Sequence, residues 1–342
     1  MMNSAPEGPG ARVRLEPDGR SFACAPGQTL LAAALTAGID LPYECASGSC
    51  GTCRGQLAAG EVSSLWPDAP GLSERDRRKG DRILCCQSVP LGDCVIKLRT
   101  GDERVHSPPA LLGVTVQGIR TLNADVIHLV LEAEQPVDFL PGQFMLFALE
   151  TGIGRRAYSM ANVAQGTGRL EFLVKRKPGG AASRYLFEQL KPGDRLDLEG
   201  PYGGAWLRHD SPRELVLLAG GSGLAPIWSI AQGALARSPQ RALRLYFGVS
   251  RAQDLFWLAE MEQAQQRHPG LQIHLVLMNP APGDPTMCRS GTAGAALAAD
   301  IDNLQSCDLY MAGPSGLIDN VMRDLVATGR AAADRVFYDR FC

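Results

Sequence analysis

Cys45, Cys50 and Cys53 stand at C-x4-C-x2-C spacing in the run Cys45-Ala46-Ser47-Gly48-Ser49-Cys50-Gly51-Thr52-Cys53. Such a trio with a fourth cysteine far downstream is the ligand pattern of a [2Fe–2S] cluster. Four thiolates must converge on two irons, so one loop curls round the cluster and supplies three. Ala46, Ser47, Gly48, Ser49, Gly51 and Thr52 have little bulk and let the loop curl. Their N–H groups can turn inward to sulfur, and such hydrogen bonds help to set the potential.

The fourth ligand has two adjacent candidates, in Ile83-Leu84-Cys85-Cys86-Gln87. Neighbours in extended chain point to opposite sides, so only one can face the cluster. We assign Cys86, which leaves 32 residues between it and Cys53. A zinc site is the competing reading, but zinc sites usually read as paired C-x2-C knuckles, and no second knuckle occurs. The other cysteines, Cys24, Cys85, Cys94, Cys288, Cys307 and Cys342, are read as packing residues. Pro42-Tyr43-Glu44-Cys45 through Cys53, with Cys86-Gln87, resembles the plant-type ferredoxin signature.

The elements around these thiols form a small α+β unit. Arg12–Leu15 and Ser21–Cys24 flank a turn at Asp18-Gly19 and read as a hairpin. Thr29–Ala37 reads as a short helix ending at Gly38. A second hairpin is expected over Gln56–Val62, a strand over Arg82–Cys85, and a closing strand over Asp93–Leu98. The Pro-rich run Val62–Leu72, with Trp66, reads as a surface loop. It also resembles a segment in the reductases of toluene-type aromatic monooxygenases.

The chain has 342 residues, enough for two or three domains. A hydrophobic content of 45% and a charged content of 20% are those of an ordinary globular protein. A net charge of −2 gives no footprint for nucleic acid or an anionic membrane. The first ten residues hold no apolar signal-peptide core, and no run of about 20 apolar residues occurs. Reduced cysteines and a cytoplasmic location are the expectation.

The expected units are a ferredoxin domain over 1–103, a linker over 104–110, an antiparallel β-barrel over 111–210, and an α/β parallel-sheet domain over 211–342. Strand-like runs at Val114–Val116, Val126–Leu131 and Phe144–Leu149 suggest the barrel. His128 falls in one of them and reads as a satisfied or edge histidine. Two motifs here carry chemistry. Arg156-Ala157-Tyr158-Ser159 offers a guanidinium fork for phosphate, an aromatic face and a hydroxyl for a ring edge. Val174-Lys175-Arg176 runs into Gly179, Gly180 and Ser183, a basic turn opening a helix that can hold an anion. In this order the two resemble the flavin domain of the ferredoxin–NADP reductase superfamily. Pro141-Gly142-Gln143-Phe144 and Gly200-Pro201-Tyr202-Gly203 fit the same pattern. The resemblance implies FAD, although the residues alone do not separate FAD from FMN.

From Arg213 the periodicity becomes α/β. The apolar run 214–219 leads into Gly220-Gly221-Ser222-Gly223-Leu224-Ala225-Pro226, a strand–loop–helix that can carry a pyrophosphate. A second strand, Leu243–Val249, contains Gly248 and ends at Ser250-Arg251. A third covers Ile273–Leu277. A later one, Asp308–Ala312, runs into Gly313-Pro314-Ser315. This resembles the pyridine-nucleotide domain of the same superfamily. Ala312 stands where many relatives carry Cys, Ser315 where they carry Pro, and Ser222 where Thr is common. Ser250-Arg251 leaves NADPH open on bare physics, and Asp254 is taken as too far along to act as the ribose-reading acid. Resemblance to toluene-type reductases favours NADH. In relatives a terminal aromatic can cover the flavin, which makes Phe341 a flavin-proximal candidate beside Tyr158 and Ser159.

The resemblance spans nearly the whole chain. It implies the reductase of a multicomponent bacterial oxygenase, closest to toluene-type di-iron monooxygenases acting on aromatics or alkenes. Electrons pass from NADH through FAD to the cluster, the flavin converting an electron pair into single electrons. The implied acceptor is a Rieske-type ferredoxin or the hydroxylase, and the chain is expected to be a monomer. The alternatives are the reductase of a Rieske ring-hydroxylating dioxygenase and, from another class, a nucleotide-binding redox sensor or carrier without turnover.

Overall fold

A computed structural model describes residues 10–102, 105–149 and 154–341. Most of the N-terminal run read for a signal peptide, the boundary expected at 103/104, and Cys342 lie outside the described residues.

The first unit contains β1 (Ala11–Glu16), β2 (Ser21–Cys24), α1 (Leu30–Thr36), β3 (Arg54–Ala59), β4 (Val62–Ser64), α2 (Glu74–Lys79), β5 (Arg82–Leu84), β6 (Ser88–Pro90) and β7 (Cys94–Lys97). Strict alternation buries Val13, Leu15, Phe22 and Cys24 on one face of the β1–β2 hairpin. The Thr29 hydroxyl caps α1 by accepting from the Ala32 N–H, a device worth about 1 kcal/mol. A mixed sheet forms in the order β2-β1-β7-β3-β5. The hairpin expected over 56–62 does not form. β3 pairs with β5 and β7, while β4 pairs with β6 in a separate ribbon. Gly60 is the reason: a Cβ there would lie 2.5 Å from the Asp93 carbonyl oxygen, so the chain turns tightly against β7.

The second unit contains β8 (Ala110–Asn123), β9 (Val126–Ala133), β10 (Phe144–Ala148), β11 (Arg155–Ser159), β12 (Arg169–Lys175), α3 (Ala181–Glu188) and β13 (Arg195–Tyr202). Its strands run antiparallel in the order β11-β10-β13-β8-β9-β12. A bridge between Met160 and Phe172 brings the two outer strands together, which curls the sheet into a barrel.

The third unit contains β14 (Leu215–Gly220), α4 (Leu224–Arg237), β15 (Leu243–Val249), α5 (Leu258–Arg267), β16 (Leu271–Leu277), β17 (Arg289–Ser290), α6 (Ala293–Asp300), β18 (Asp308–Pro314), α7 (Ser315–Val321) and β19 (Val336–Phe341). The sheet is parallel, in the order β17-β16-β15-β14-β18-β19. Leu215 to Ala219 are wholly buried, as a central strand covered on both faces requires.

Phe144, Leu146 and Tyr202 of the barrel share one apolar cluster with the core of the first unit. The Gly203 N–H donates to the Tyr43 hydroxyl at 2.9 Å, two residues before Cys45. The ferredoxin unit is thus fastened to the barrel beside its own cysteine loop.

Candidate functional site

The four cysteines meet as two pairs. Cys53 Sγ lies 3.3 Å from Cys86 Sγ. The Cys50 N–H donates to Cys45 Sγ at 3.4 Å, and the two thiols also hydrogen-bond through their side chains. One partner of each pair is primed as a thiolate: the Cys50 hydrogen bond draws Cys45 down to about 6, and the Cys86 hydrogen bond lowers Cys53. Thiolates are the form that binds iron. Among the described residues no three His, Cys, Asp or Glu side chains come together round a single ion. Two pairs rather than one foursome is the donor set that two bridged irons need, so the residues fit the cluster.

Cys85 and Cys86 part as alternation demands. Cys86 feels Cys53 and Cys45, whereas Cys85 feels Cys53 and Cys94 and is held well above the usual thiol range by burial. Cys85 therefore packs into the domain core beside Cys94. Gln87 Nε2 lies 3.8 Å from Cys86 Sγ.

The loop curls through left-handed backbone at Gly48, φ +90°, and Gly51, φ +81°. It is closed from outside by Gly71, whose N–H donates to the Gly48 carbonyl at 2.9 Å. A Cβ on Gly51 would stand 2.7 Å from the Gly71 carbonyl oxygen. We expect Gly51→Ala to lower stability by about 2 kcal/mol and to lower iron content on purification. Thermal melts with iron assay check this, and a fully loaded, equally stable variant contradicts it.

In the barrel, β11 carries the Arg-Ala-Tyr-Ser motif. Tyr158 packs edge-on against Phe147, and burial pushes its hydroxyl up to about 12. The Arg156 guanidinium lies 5.2 Å from the Trp66 ring centroid, a cation–π contact between the barrel and the loop that covers the cysteines. Val174 is core, with its side chain fully buried. Lys175 crosses to the third unit, its Nζ 3.8 Å from where a Gly221 Cβ would stand. Arg176, read from sequence as a flavin contact, pairs with Glu188 at 2.7 Å and lies over Phe187. Ser183 spends its hydroxyl on its own turn, accepting from the Lys177 N–H at 3.0 Å. Gly179 and Gly180 form that turn, and the backbone N–H groups of the α3 start are the anion-binding groups it offers. His128 is satisfied by Glu171 at 2.8 Å.

A cavity of about 540 Å³ opens at the carboxyl ends of β14 and β15, where a parallel sheet takes its ligand. Gly220, Gly221, Gly248, Ser250 and Pro314 line it, with Lys175. Ser222, Gly223, Ala225, Pro226, Arg251, Ala312 and Gly313 do not. Gly223 packs on β18: a Cβ there would meet the Ala312 carbonyl oxygen at 2.1 Å. Ala225 and Pro226 are buried in α4. Asp254, discounted from sequence, does line the cavity, and it accepts from the Arg251 N–H at 2.9 Å. The short helical turn after Arg251 brings the acid back to the strand end, which sequence distance alone conceals.

Sequence reasoning missed Asp339. β19 pairs in register with β18, placing Asp339 opposite Ala312. The Ser159 hydroxyl donates to Asp339 Oδ2 at 3.3 Å. Burial is the main cause that pushes its carboxyl up to about 7, with further repulsion from Glu44 and Cys50. Ser159 of the Arg-Ala-Tyr-Ser motif and the last strand of the third unit thus meet at one carboxylate, with Glu44 and Cys50 of the cysteine loop near enough to act on its charge. The only signal in the sequence was a lone acid among aromatics in Phe337-Tyr338-Asp339-Arg340-Phe341. Phe341 itself packs against the core of the third unit, opposite Pro314.

Residues 13–91 match the 2Fe-2S iron-sulfur cluster binding domain family, 114–206 the oxidoreductase FAD-binding domain family and 217–323 the oxidoreductase NAD-binding domain family. The chain is 51% identical to the ferredoxin–NAD(+) reductase component of the alkene monooxygenase system of Xanthobacter autotrophicus, over 95% of this chain and 98% of that one. It is 33% identical to the phenol 2-monooxygenase reductase component of a Pseudomonas species, over 96% and 94%. A solved ferredoxin reductase of carbazole 1,9a-dioxygenase superposes with a TM-score of 0.88 at 34% identity, covering 97% of this chain and 99% of that one. The three domains hold a [2Fe–2S] cluster, FAD and NADH. The chain belongs to the family of flavin and iron–sulfur reductase components that serve multicomponent oxygenases.

Proposed function

We propose that this chain is the cytoplasmic NADH-oxidising reductase of an alkene or aromatic monooxygenase system, delivering electrons to a Rieske-type ferredoxin or directly to the hydroxylase. The carrying observation is the meeting of Ser159, Asp339 and the Cys50 side of the cysteine loop. The flavin edge and the cluster loop are neighbours within one fold, so no domain need swing out for electrons to cross. When bound, FAD accepts an electron pair from NADH and releases single electrons, as a [2Fe–2S] acceptor requires.

The chain's own residues then have distinct tasks. Cys45 with Cys50, and Cys53 with Cys86, would hold the two irons of the cluster. Arg156 and the start of α3 hold phosphate, while Tyr158 and Ser159 orient the flavin ring. The glycines at the ends of β14 and β15 let the dinucleotide backbone approach. Asp339 takes up through Ser159 the proton that remains when the two electrons have left. No side chain acts as a nucleophile. Asp254, with its negative charge facing the cavity, disfavours the extra phosphate of NADPH. We expect Asp254→Asn to raise kcat/KM for NADPH by about tenfold and to change that for NADH far less. Steady-state kinetics with both nucleotides check this, and an unchanged ratio removes Asp254 from the specificity argument.

The test of the function is anaerobic stopped-flow mixing of NADH-reduced protein with an oxidised Rieske-type ferredoxin from a toluene-type system. Fast, saturable reoxidation of the cluster supports delivery through a carrier. Fast reduction of small dyes with no transfer to the ferredoxin moves the proposal to direct delivery to a hydroxylase. A dioxygenase system is the second reading, favoured by the likeness to the carbazole dioxygenase reductase. It is separated by which hydroxylase accepts electrons.

A further inference from the structure

The two cysteine pairs face different neighbours. The Gly203 N–H of the barrel donates to the Tyr43 hydroxyl at 2.9 Å, two residues before Cys45, so the Cys45–Cys50 side looks toward the flavin domain. The residues following the other two ligands are held by a single covering segment. The Leu65 N–H donates to the Gln87 carbonyl, at 2.8 Å, directly after Cys86. Arg54, directly after Cys53, pairs with Asp76 of α2 at 3.0 Å. Residues 65–80 therefore lie across the Cys53–Cys86 side, reach the Cys45–Cys50 loop through Gly71 on Gly48, and are pinned to the barrel by Trp66 against Arg156.

This segment is built to be seen from outside. α2 buries none of its residues. It is ordered instead by a Ser73–Asp76 capping box, a left-handed Gly80, and Arg77 donating to the Ala69 carbonyl at 3.0 Å. Two nearby acids are taken up, Asp76 by Ser73 and Arg54 and neighbouring Asp81 by Gln56, while Glu74, 85% exposed, stands 3.9 Å from Arg78 and Asp68 is exposed. Its bases point out. Arg75, Arg77, Arg78 and Lys79 are all exposed, and among the described residues Arg75 and Lys79 make no ion pair. At the other end of the segment Leu65 is 49% exposed. An exposed apolar residue and exposed bases on one covering segment are the parts a transient protein interface uses.

We propose that residues 65–80 form the exit face, where an electron-accepting protein docks through an acidic surface against Arg75, Arg78 and Lys79 with Leu65 as the apolar contact. The proposal rests on the reading of this chain as a reductase for a protein acceptor. Attraction between such faces raises the encounter rate and is screened by salt.

The test is Arg75→Glu/Arg78→Glu/Lys79→Glu, with Arg75→Gln/Arg78→Gln/Lys79→Gln as a gentler control for folding. Two protein acceptors serve as probes, a Rieske-type ferredoxin of net negative charge and a cytochrome c of net positive charge. Flavin reduction by NADH should be unchanged in both variants. At low ionic strength, kcat/KM for the acidic ferredoxin should fall about tenfold in the glutamate variant and less in the glutamine variant, and its salt dependence should flatten. Reduction of cytochrome c should rise in the same order. Cytochrome c rates that stay the same, or that fall together with the ferredoxin rates, overturn the exit face. A wild type that reduces cytochrome c but never the ferredoxin sinks delivery through a carrier, while cytochrome c rates that rise most in the glutamate variant still support the face.

Discussion

Cys86→Ser should abolish the visible [2Fe–2S] spectrum and lower electron delivery to protein acceptors by roughly a hundredfold or more, while NADH still reduces the flavin. The geometry makes the loss specific. Cys86 Sγ is 3.3 Å from Cys53 Sγ and, with it, would supply one iron's protein ligands. A serine oxygen is harder and its proton harder to remove, so the iron would be left with one thiolate from this pair. Cys85→Ser is the control that separates ligand from neighbour. Cys85 is 1% exposed and packs beside Cys94 in the domain core. Placing a hydroxyl there costs about 1–3 kcal/mol, so the variant should melt earlier yet keep its iron and spectrum. Absorbance, iron assay and thermal melts decide between them. Retained iron in the Cys86 variant, with loss in the Cys85 variant, would exchange the two assignments.

The difference between what was legible and what was not has a physical origin. The cysteine spacing, the continuous apolar strand before Gly220, and the change from short strands to α/β periodicity are local, and the local chain fixes them. The small sheet pairing of β4 with β6 was not local. It depends on Gly60 meeting Asp93, more than thirty residues away, and alternation alone suggested a hairpin instead. The surroundings of the charged residues in the nucleotide sites were hidden in the same way. Arg176 looked like an anion ligand, yet Glu188 lies one helix away and claims it. Asp254 looked too distant, yet a helical turn folds it back to the cavity. Sequence shows which residue types are present. Which neighbour a charge meets first is a property of the folded chain.

Ala312 shows why that matters for chemistry. The family resemblance places a thiol where Ala312 stands, whose loss is expected to slow hydride transfer or be neutral. The register of β18 against β19 supplies a different group there, since Asp339 lies directly opposite Ala312. With Ser159 hydrogen-bonded to it, the titratable group at this position is a carboxyl contributed by the last strand.

Asp339→Asn should slow turnover with protein acceptors by about a hundredfold while leaving KM for NADH nearly unchanged. NADH brings two electrons and one proton with them as hydride, and the cluster takes only electrons. One proton per NADH must therefore leave the flavin edge, and Ser159 with Asp339 is the route the structure offers. Burial pushes the Asp339 carboxyl up to about 7, so below that pH it is already protonated and above it can accept. Turnover should rise as pH passes upward through about 7 and then level off; asparagine should remove that step. Stability should move the other way. A carboxyl raised in the fold from its ordinary value of 3.8 to about 7 binds its proton more tightly when folded. Its presence therefore costs nothing below the unfolded value, and the fold loses stability as pH rises between the two, with the full cost present above about 7. The asparagine variant, lacking that ionisation, should gain melting temperature relative to wild type at pH 8 more than at pH 4. Slower turnover combined with a relatively firmer fold at high pH is what a carboxyl kept for proton transfer would give. A variant that is slow, less stable at every pH and still shows the pH step would make Asp339 a packing residue, and the proton would have to leave the flavin edge by another path.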